Sequence, residues 1–441
     1  MYYNYVRSAL EHPSVIGTHW HQFSDQAATG RFDGENFQVG FTDICDKPYY
    51  ETIEKIREIG YDMYEIRSQV QQLNEIRMQS IFLLLTFFWL CPQVSAQKPT
   101  NVYYIDARRL TVVGQPLPYL QKPFSRMDGR AYGLKGSLAA KAAQSTGIAV
   151  LFTTNSRTIR AKWHTSNLRV VGTNTGANCQ KGLDLYIRKK GKWLFAGVGA
   201  PNMKGNCADH EAILVASMDE DVKECLLYLP LFDQVDQLEI GVDKGSAIKP
   251  LENPFRHRII FYGSSITHGS AASRAGMSYV ARFGRDNGLY CMNLGFSGQG
   301  RMQEEFARYL ADCDTDAFIF DTFSNPDSKQ IRERFDAFVD IIRGSHPNTP
   351  LIFLQTIRRE KRNFNLKTDI YEAHKQQTAE EVVRARMKRD KHIYFILSDS
   401  FLGDDGIATA DGPHPTDVGF SRMLEGMTPP LKKIFRKYGI Q

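Results

Sequence analysis

The chain lacks three features that would each have pointed to a partner or a cofactor. It has no long basic block: 55 Lys and Arg stand against 49 Asp and Glu in 441 residues, a formal net charge of +6. Nucleic acid is therefore a poor default partner. The strongest apolar break, residues 81–91, falls short of the ~20 residues needed to span a bilayer, so no stable membrane insertion is expected. No Cys-x-x-Cys spacing occurs among the seven cysteines, so no metal site is indicated. What is present is ordinary for a soluble globular protein, with 42% hydrophobic and 24% charged residues, and the length suits two or three domains.

The apolar run 81–91 follows Met78-Gln79-Ser80 and ends in Val94-Ser95-Ala96. That length and ending suit a secretory signal over 78–97 cleaved after Ala96, with a periplasmic or secreted product. Two features oppose this: no positive side chain precedes the run, and 77 residues lie before Met78. A buried or interfacial helix is the plain alternative. Leu90-Cys91 lacks the small residue usual before a lipidated cysteine. Of the later cysteines, Cys179 and Cys207 lie in Gly/Asn-rich loops and could pair in an exported protein, while the odd count of five beyond residue 97 leaves at least one unpaired.

Residues 1–67 read as one strand (14–22), a polar loop (25–43) and one amphipathic helix (49–66) carrying Ile53, Ile56 and Ile59. One strand and one helix bury too little to fold alone, so 1–77 is not expected to be a complete domain. From 101 to 243 the pattern is β, with short alternating runs at 148–153, 158–164, 183–188, 193–199, 224–229 and 237–242 between Gly, Asn and Pro turns. This predicts a β-sandwich over 98–250. Trp163, Trp193 and Tyr186 fit its core better than a sugar platform. From 255 on, strands expected at 258–262, 289–294, 316–321, 350–355 and 392–397 alternate with helices, the last from about 417 to 437. That pattern predicts an α/β fold over 251–441, a flavodoxin-like three-layer domain with a parallel sheet.

Chemistry-bearing residues fall where such strands end. Gly263-Ser264-Ser265-Ile266-Thr267-His268-Gly269 follows the first strand, Gly295-Phe296-Ser297-Gly298-Gln299-Gly300 the second, and Asp321-Thr322-Phe323-Ser324-Asn325-Pro326 the third. Asp411-Gly412-Pro413-His414 precedes the last helix. A serine hydrolase needs a hydroxyl, a base, a group orienting the base and oxyanion donors, and these stretches offer one candidate for each.

In this order the four stretches resemble the four blocks of the SGNH (GDSL-type) hydrolases, and Gly182-Leu183-Asp184-Leu185-Tyr186 resembles the Gly-x-Asp-Leu-Tyr signature of the β-domain that precedes one group of them. The resemblance implies Ser265 as nucleophile, His414 as base, and Asp411 as its orienting partner. It also implies the Ser265 and Gly298 backbone N–H groups and the Asn325 amide as oxyanion donors, with no cofactor. Ser264 replaces the family's frequent Asp, and the Gly and Asp that often surround the third-block Asn are absent. His268 is the competing imidazole, expected to be a solvated neighbour. Separately, His19-Trp20-His21-Gln22-Phe23 and Thr29-Gly30-Arg31-Phe32-Asp33-Gly34 resemble the end of the barrel of β-agarase and β-porphyranase type glycoside hydrolases. Without the barrel, no glycosidase activity is expected.

The resemblance implies an acetylated saccharide as substrate, with thioesters or lipid esters as alternatives, and a non-catalytic carbohydrate-binding protein as a reading of another class. Arg358, Arg359 and Arg362 follow the fourth strand and are candidate contacts to an anionic saccharide; a solvated helix entry is the plain alternative. The sequence does not fix the oligomeric state.

Overall fold

The computed structural model describes residues 101–119, 121–166, 173–204 and 207–440, together with scattered positions between 6 and 63. The chain divides into two compact units, Met1–Pro99 and Thr100–Gln441. In the first, the described positions from 50 to 63 are helical, as the apolar spacing over 49–66 predicts. The strand and loop expected at 14–22 and 25–43, and the signal-like segment 78–97, lie outside the described residues.

The second unit begins with two antiparallel sheets. One runs Val102–Asp106, Val235–Asp243, Ile159–Thr165, Asp209–Val215. The other runs Ile248–Pro250, Ala149–Thr154, Lys223–Tyr228, Leu183–Lys189, Lys192–Gly199, with Thr111–Val113 added beside Ala149–Thr154. Side chains alternate across each strand. Val150 and Phe152 enter the sandwich core with Ile159, Ala161, Trp163 and Ile240, whereas Ala149 and Leu151 face away from it and join the core of the following half. The larger sheet is therefore covered on both faces. Trp163 and Tyr186 are buried, which leaves neither free to stack on a sugar. Trp163 donates its indole N–H to the Lys181 carbonyl at 2.8 Å.

The remaining chain forms a parallel sheet of β1 (Arg256–Gly263), β2 (Leu289–Gly295), β3 (Ala317–Asp321), β4 (Leu351–Leu354) and β5 (Ile393–Ile396), ordered β2-β1-β3-β4-β5. The helices around it are α1 (Tyr279–Asn287), α2 (Glu304–Asp312), α3 (Ser328–Ser345), α4 (Leu366–Met387) and α5 (Asp417–Phe435). The strands are apolar on both sides because both faces are covered. Ile259 and Phe261 pack with Tyr279, Phe283 and Phe420; Ile260 and Tyr262 pack with Phe306 and Phe338 on the other face. Local chemistry sets the helix starts. Asp327 and Gln330 close a capping box at the head of α3, each satisfying a backbone N–H that the first turn leaves open.

This strand order places a switch point at the end of β1, where a doubly wound sheet binds ligands. Gly263, at that end, is level with Gly295 of β2 on one side and Asp321 of β3 on the other. The three strand-end motifs thus leave the sheet from one row.

The disulfide that the sequence left open between Cys179 and Cys207 is not formed. Cys179 is a buried, unpaired thiol, with its sulfur 3.8 Å from the Gly269 carbonyl. Its position against the α/β half, which the sequence does not show, takes the side chain away from the neighbouring loop.

Candidate active site

β1 ends in Gly263, and Ser264 opens a single helical turn, Ser265–His268. The two adjacent hydroxyls have opposite surroundings. Ser264 is fully buried; its Oγ accepts from the Ile266 N–H at 3.1 Å and donates to Asp321 Oδ2 at 2.8 Å. It is an N-cap tied to a buried carboxyl. Ser265 Oγ instead lies 2.9 Å from His414 Nε2. The backbone N–H of Ser265, in the first turn, has no intrahelical partner.

His414 sits in a tight loop before α5. Thr409 bridges Pro415, and Ala410 N–H donates to the His414 carbonyl at 2.9 Å. His414 Nδ1 stands 2.8 Å from Asp411 Oδ2 and 3.0 Å from Oδ1, and the His414 backbone N–H donates to Oδ1 at 3.0 Å. A proton on Nδ1 facing the carboxylate leaves Nε2 free to accept from Ser265. Burial alone would raise the Asp411 carboxyl; the hydrogen bonds from His414 and from Asn174 outweigh it and hold the group below the usual carboxylate range. Glu360 braces this loop, accepting from the Ala408 N–H at 2.8 Å, the Thr409 N–H at 3.1 Å and the Thr409 hydroxyl.

The second-strand loop lies directly on the first. A Cβ on Gly300 would fall 2.4 Å from the Gly263 carbonyl oxygen, so only glycine permits this approach. Gly300 N–H donates to Asn325 Oδ1 at 3.1 Å, which joins the third-block amide to the second-block loop and turns its Nδ2 away from Gly300. Gly298 takes a left-handed conformation, φ 73°, which fixes the direction of its N–H.

His268 departs from expectation. It is fully buried and stacked on Phe232 with ring centres 4.1 Å apart. Nε2 donates to the Leu231 carbonyl at 2.6 Å, and Nδ1 accepts from the Ser297 N–H at 3.2 Å. Burial pushes its pKa well below the usual imidazole value, so it stays neutral and carries the sandwich's hold through to the loop bearing Gly298.

The three arginines are placed differently from one another. Arg359 donates to Glu372 Oε1 at 2.8 Å and to the Ser324 carbonyl at 3.1 Å, and Arg362 to Asp369 at 2.7 Å and Gln376 at 2.7 Å. These two guanidiniums are committed to the protein interior, and Arg359 holds the backbone next to Asn325. Arg358 donates to Asn363 and lines an open cleft of about 850 Å³ with Glu360, Phe364, Asp399 and Asp404. Among the described residues no group of three or more His, Cys, Asp and Glu is placed to hold a metal ion.

Sequence reasoning missed Asn174, Glu360 and Asp321. Asn174 and Glu360 act from positions distant in sequence from the residues they touch. Asp321 stands in the third block without the spacing that marks a partner for Ser264.

A doubly wound sheet with Ser, His and Asp hydrogen-bonded in series at its switch point defines a serine-hydrolase-like α/β protein. Residues 256–432 match the GDSL-like lipase/acylhydrolase family, and residues 102–248 match the GxDLY N-terminus of SGNH-hydrolase-type esterases. A crystal structure described as a GDSL-like lipase from Bacteroides ovatus ATCC 8483 is 43% identical, with TM-score 0.73, over 76% of this chain and 98% of that one. The chain belongs to the GDSL-like lipase/acylhydrolase family, in the group with a GxDLY N-terminal domain. A family two carbohydrate esterase from Cellvibrio japonicus shares the fold at 13% identity and TM-score 0.51, over 76% of this chain and 98% of that one. A separate stretch of 67 residues is 42% identical to Beta-agarase B of Vibrio sp. (strain JT0107). It covers 15% of this chain and spans only 7% of that agarase's length.

Proposed function

We propose that the protein is a serine esterase that removes acyl groups, most simply acetyl, from a saccharide. The hydrogen-bond series Ser265 Oγ, His414 Nε2, His414 Nδ1, Asp411 carries this reading. As Ser265 Oγ bonds to the ester carbonyl carbon, its proton passes to His414 Nε2, and the carbonyl becomes an oxyanion received by the N–H groups of Ser265 and Gly298 and by Asn325 Nδ2. Collapse breaks the bond to the sugar oxygen, which takes the proton from His414. Water then repeats the sequence on the acyl-enzyme, releasing the acid and restoring Ser265.

The saccharide reading is supported by a shared fold with a carbohydrate esterase and by an agarase-like stretch in the same chain. The cleft lined by Arg358, which includes none of Ser265, His414 and Asp411, sets three carboxylates, Glu360, Asp399 and Asp404, against one guanidinium, so as an outlying subsite it suits a neutral sugar better than an anionic one. Phe364 lines the same cleft with its side chain almost wholly exposed, an apolar face on which a sugar ring can stack.

Acetate release from p-nitrophenyl acetate and from acetylated neutral and sulfated oligosaccharides tests this. Ser265→Ala should lower kcat by at least ~10³-fold with unchanged melting temperature. Equal rates for the two proteins would leave the carbohydrate-binding alternative in its place, and faster turnover of sulfated substrates would reverse the charge argument. Export is proposed from residues 78–97. A mature N-terminus at Gln97 or Lys98 in the secreted protein is the expected outcome.

A further inference from the structure

We propose that Asn174, contributed by the β-sandwich half, is a positioning residue for the Ser265–His414–Asp411 series, so that the active site of the α/β half is complete only with the sandwich in place. The inference rests on the esterase reading.

Asn174 Nδ2 lies 2.8 Å from Asp411 Oδ2 and 2.9 Å from His414 Nδ1, across 237 residues of sequence. The direction of the amide follows from its neighbours. Thr175 Oγ1 donates to Asn174 Oδ1 at 3.1 Å, which fixes the oxygen on the far side. The reverse orientation would set Oδ1 against a carboxylate oxygen, two acceptors with no proton between them. The proton on His414 Nδ1 belongs to the charge-assisted bond with Asp411, so the Asn174 hydrogen goes to Asp411 Oδ2, and its approach to Nδ1 is a packing contact along the edge of the ring.

The role follows from exposure. The Asp411 side chain is 35% accessible and that of His414 22%, so water competes for both carboxylate oxygens. A second donor on Oδ2 opposes rotation of the carboxylate and keeps both oxygens at Nδ1. It also lowers the basicity of Asp411, which keeps it ionised beside the imidazole. The donor is itself tethered: the short helical turn Ala177–Gln180 follows it, Gln180 Nε2 donates to the Thr175 carbonyl, and Ala271 N–H approaches Thr175 Oγ1 at 3.5 Å.

The test uses the full chain, with p-nitrophenyl acetate kinetics, the rate of fluorophosphonate labelling of Ser265, and thermal unfolding. A hydrogen bond to a charged group corresponds to a factor of roughly 10 to 100. Asn174→Ala should lower kcat and the labelling rate by about that factor, with KM changed less than about twofold and the melting temperature retained. Asn174→Asp keeps the shape but turns an acceptor toward Asp411, and should be slower than Asn174→Ala. Wild-type kcat and labelling in Asn174→Ala would overturn the proposal, as would an Asp variant faster than the Ala variant, which would mark a space-filling role. An inactive, unlabelled wild-type chain would instead overturn the esterase reading on which the proposal rests.

Discussion

Ser264 and Ser265 present the same hydroxyl on consecutive backbone positions, and their partners alone separate them. Ser264 spends its Oγ on the Ile266 N–H and on Asp321. Thr267 also donates to Asp321, at 3.0 Å, yet burial still pushes that carboxyl above its usual range. Ser264→Ala should therefore act on stability: loss of an N-cap and of one donor to a buried group costs about 1–2 kcal/mol. It should leave fluorophosphonate labelling intact, whereas Ser265→Ala abolishes labelling and keeps stability. Chemical denaturation and mass spectrometry of the labelled chain check both. The motif pattern picks Ser265 as the candidate nucleophile, and its 2.9 Å approach to His414 Nε2 fits that choice. That Ser264 is a cap, and that His268 is a buried neutral link and not a solvated neighbour, depends on Asp321, Leu231 and Ser297, which no local pattern connects to them.

Among the elements, the loop 408–415 matters most, since it carries both Asp411 and His414 with few side chains to fix it. Glu360, in the short helix Glu360–Arg362, accepts two of its N–H groups and a hydroxyl. Glu360→Ala removes two acceptor oxygens that take three hydrogen bonds and should destabilise the protein by roughly 2 kcal/mol, since unpaired amides in a half-buried loop recover only part of their bonding from water. A looser His414 should also lower kcat more than it raises KM. Steady-state kinetics beside thermal unfolding would show this. The sequence marked this segment by its arginines, whereas two of them are structural and the acid between them braces the loop. Strands showed a similar limit. All five of the parallel sheet were legible because they are apolar on both faces. In the sandwich, Val102–Asp106, Thr111–Val113, Asp209–Val215 and Ile248–Pro250 escaped separate assignment; the first and third are edge strands of their sheet among the described residues, where the apolar pattern weakens, and the other two are only three residues long.

At the scale of the molecule, residues Thr100–Gln441 form one compact unit although the sequence divides them at about residue 250. Asp184 of the GxDLY signature is part of the reason. Fully buried, it accepts from Arg274 Nε at 3.1 Å and from the Gly276 N–H at 2.8 Å, which pins the segment following the Ser265–His268 turn to the sandwich. Burial raises its pKa to about 6 despite Arg274. A carboxyl raised in the folded state contributes stability that is complete below its unfolded pKa and is lost as pH rises through the folded value. Wild type should thus lose on the order of 3 kcal/mol relative to Asp184→Asn between about pH 4 and pH 6. Urea unfolding of both proteins across that range measures it. A constant difference would show that Asp184 is already ionised at the lower limit.

The sequence by itself determined the alternation of strand and helix, the family blocks and the order in which they occur, because apolar period and turn chemistry are local properties of the chain. Tertiary structure decided which groups meet. Asn174 reaches Asp411 and His414 across more than two hundred residues, and His268 links Leu231 to Ser297. Arg359 and Arg362 turn inward to Glu372 and Asp369. Hydrogen bonds and ion pairs act over about 3 Å in space and are indifferent to separation along the chain, so these partnerships exist only once the sandwich and the parallel sheet share a core.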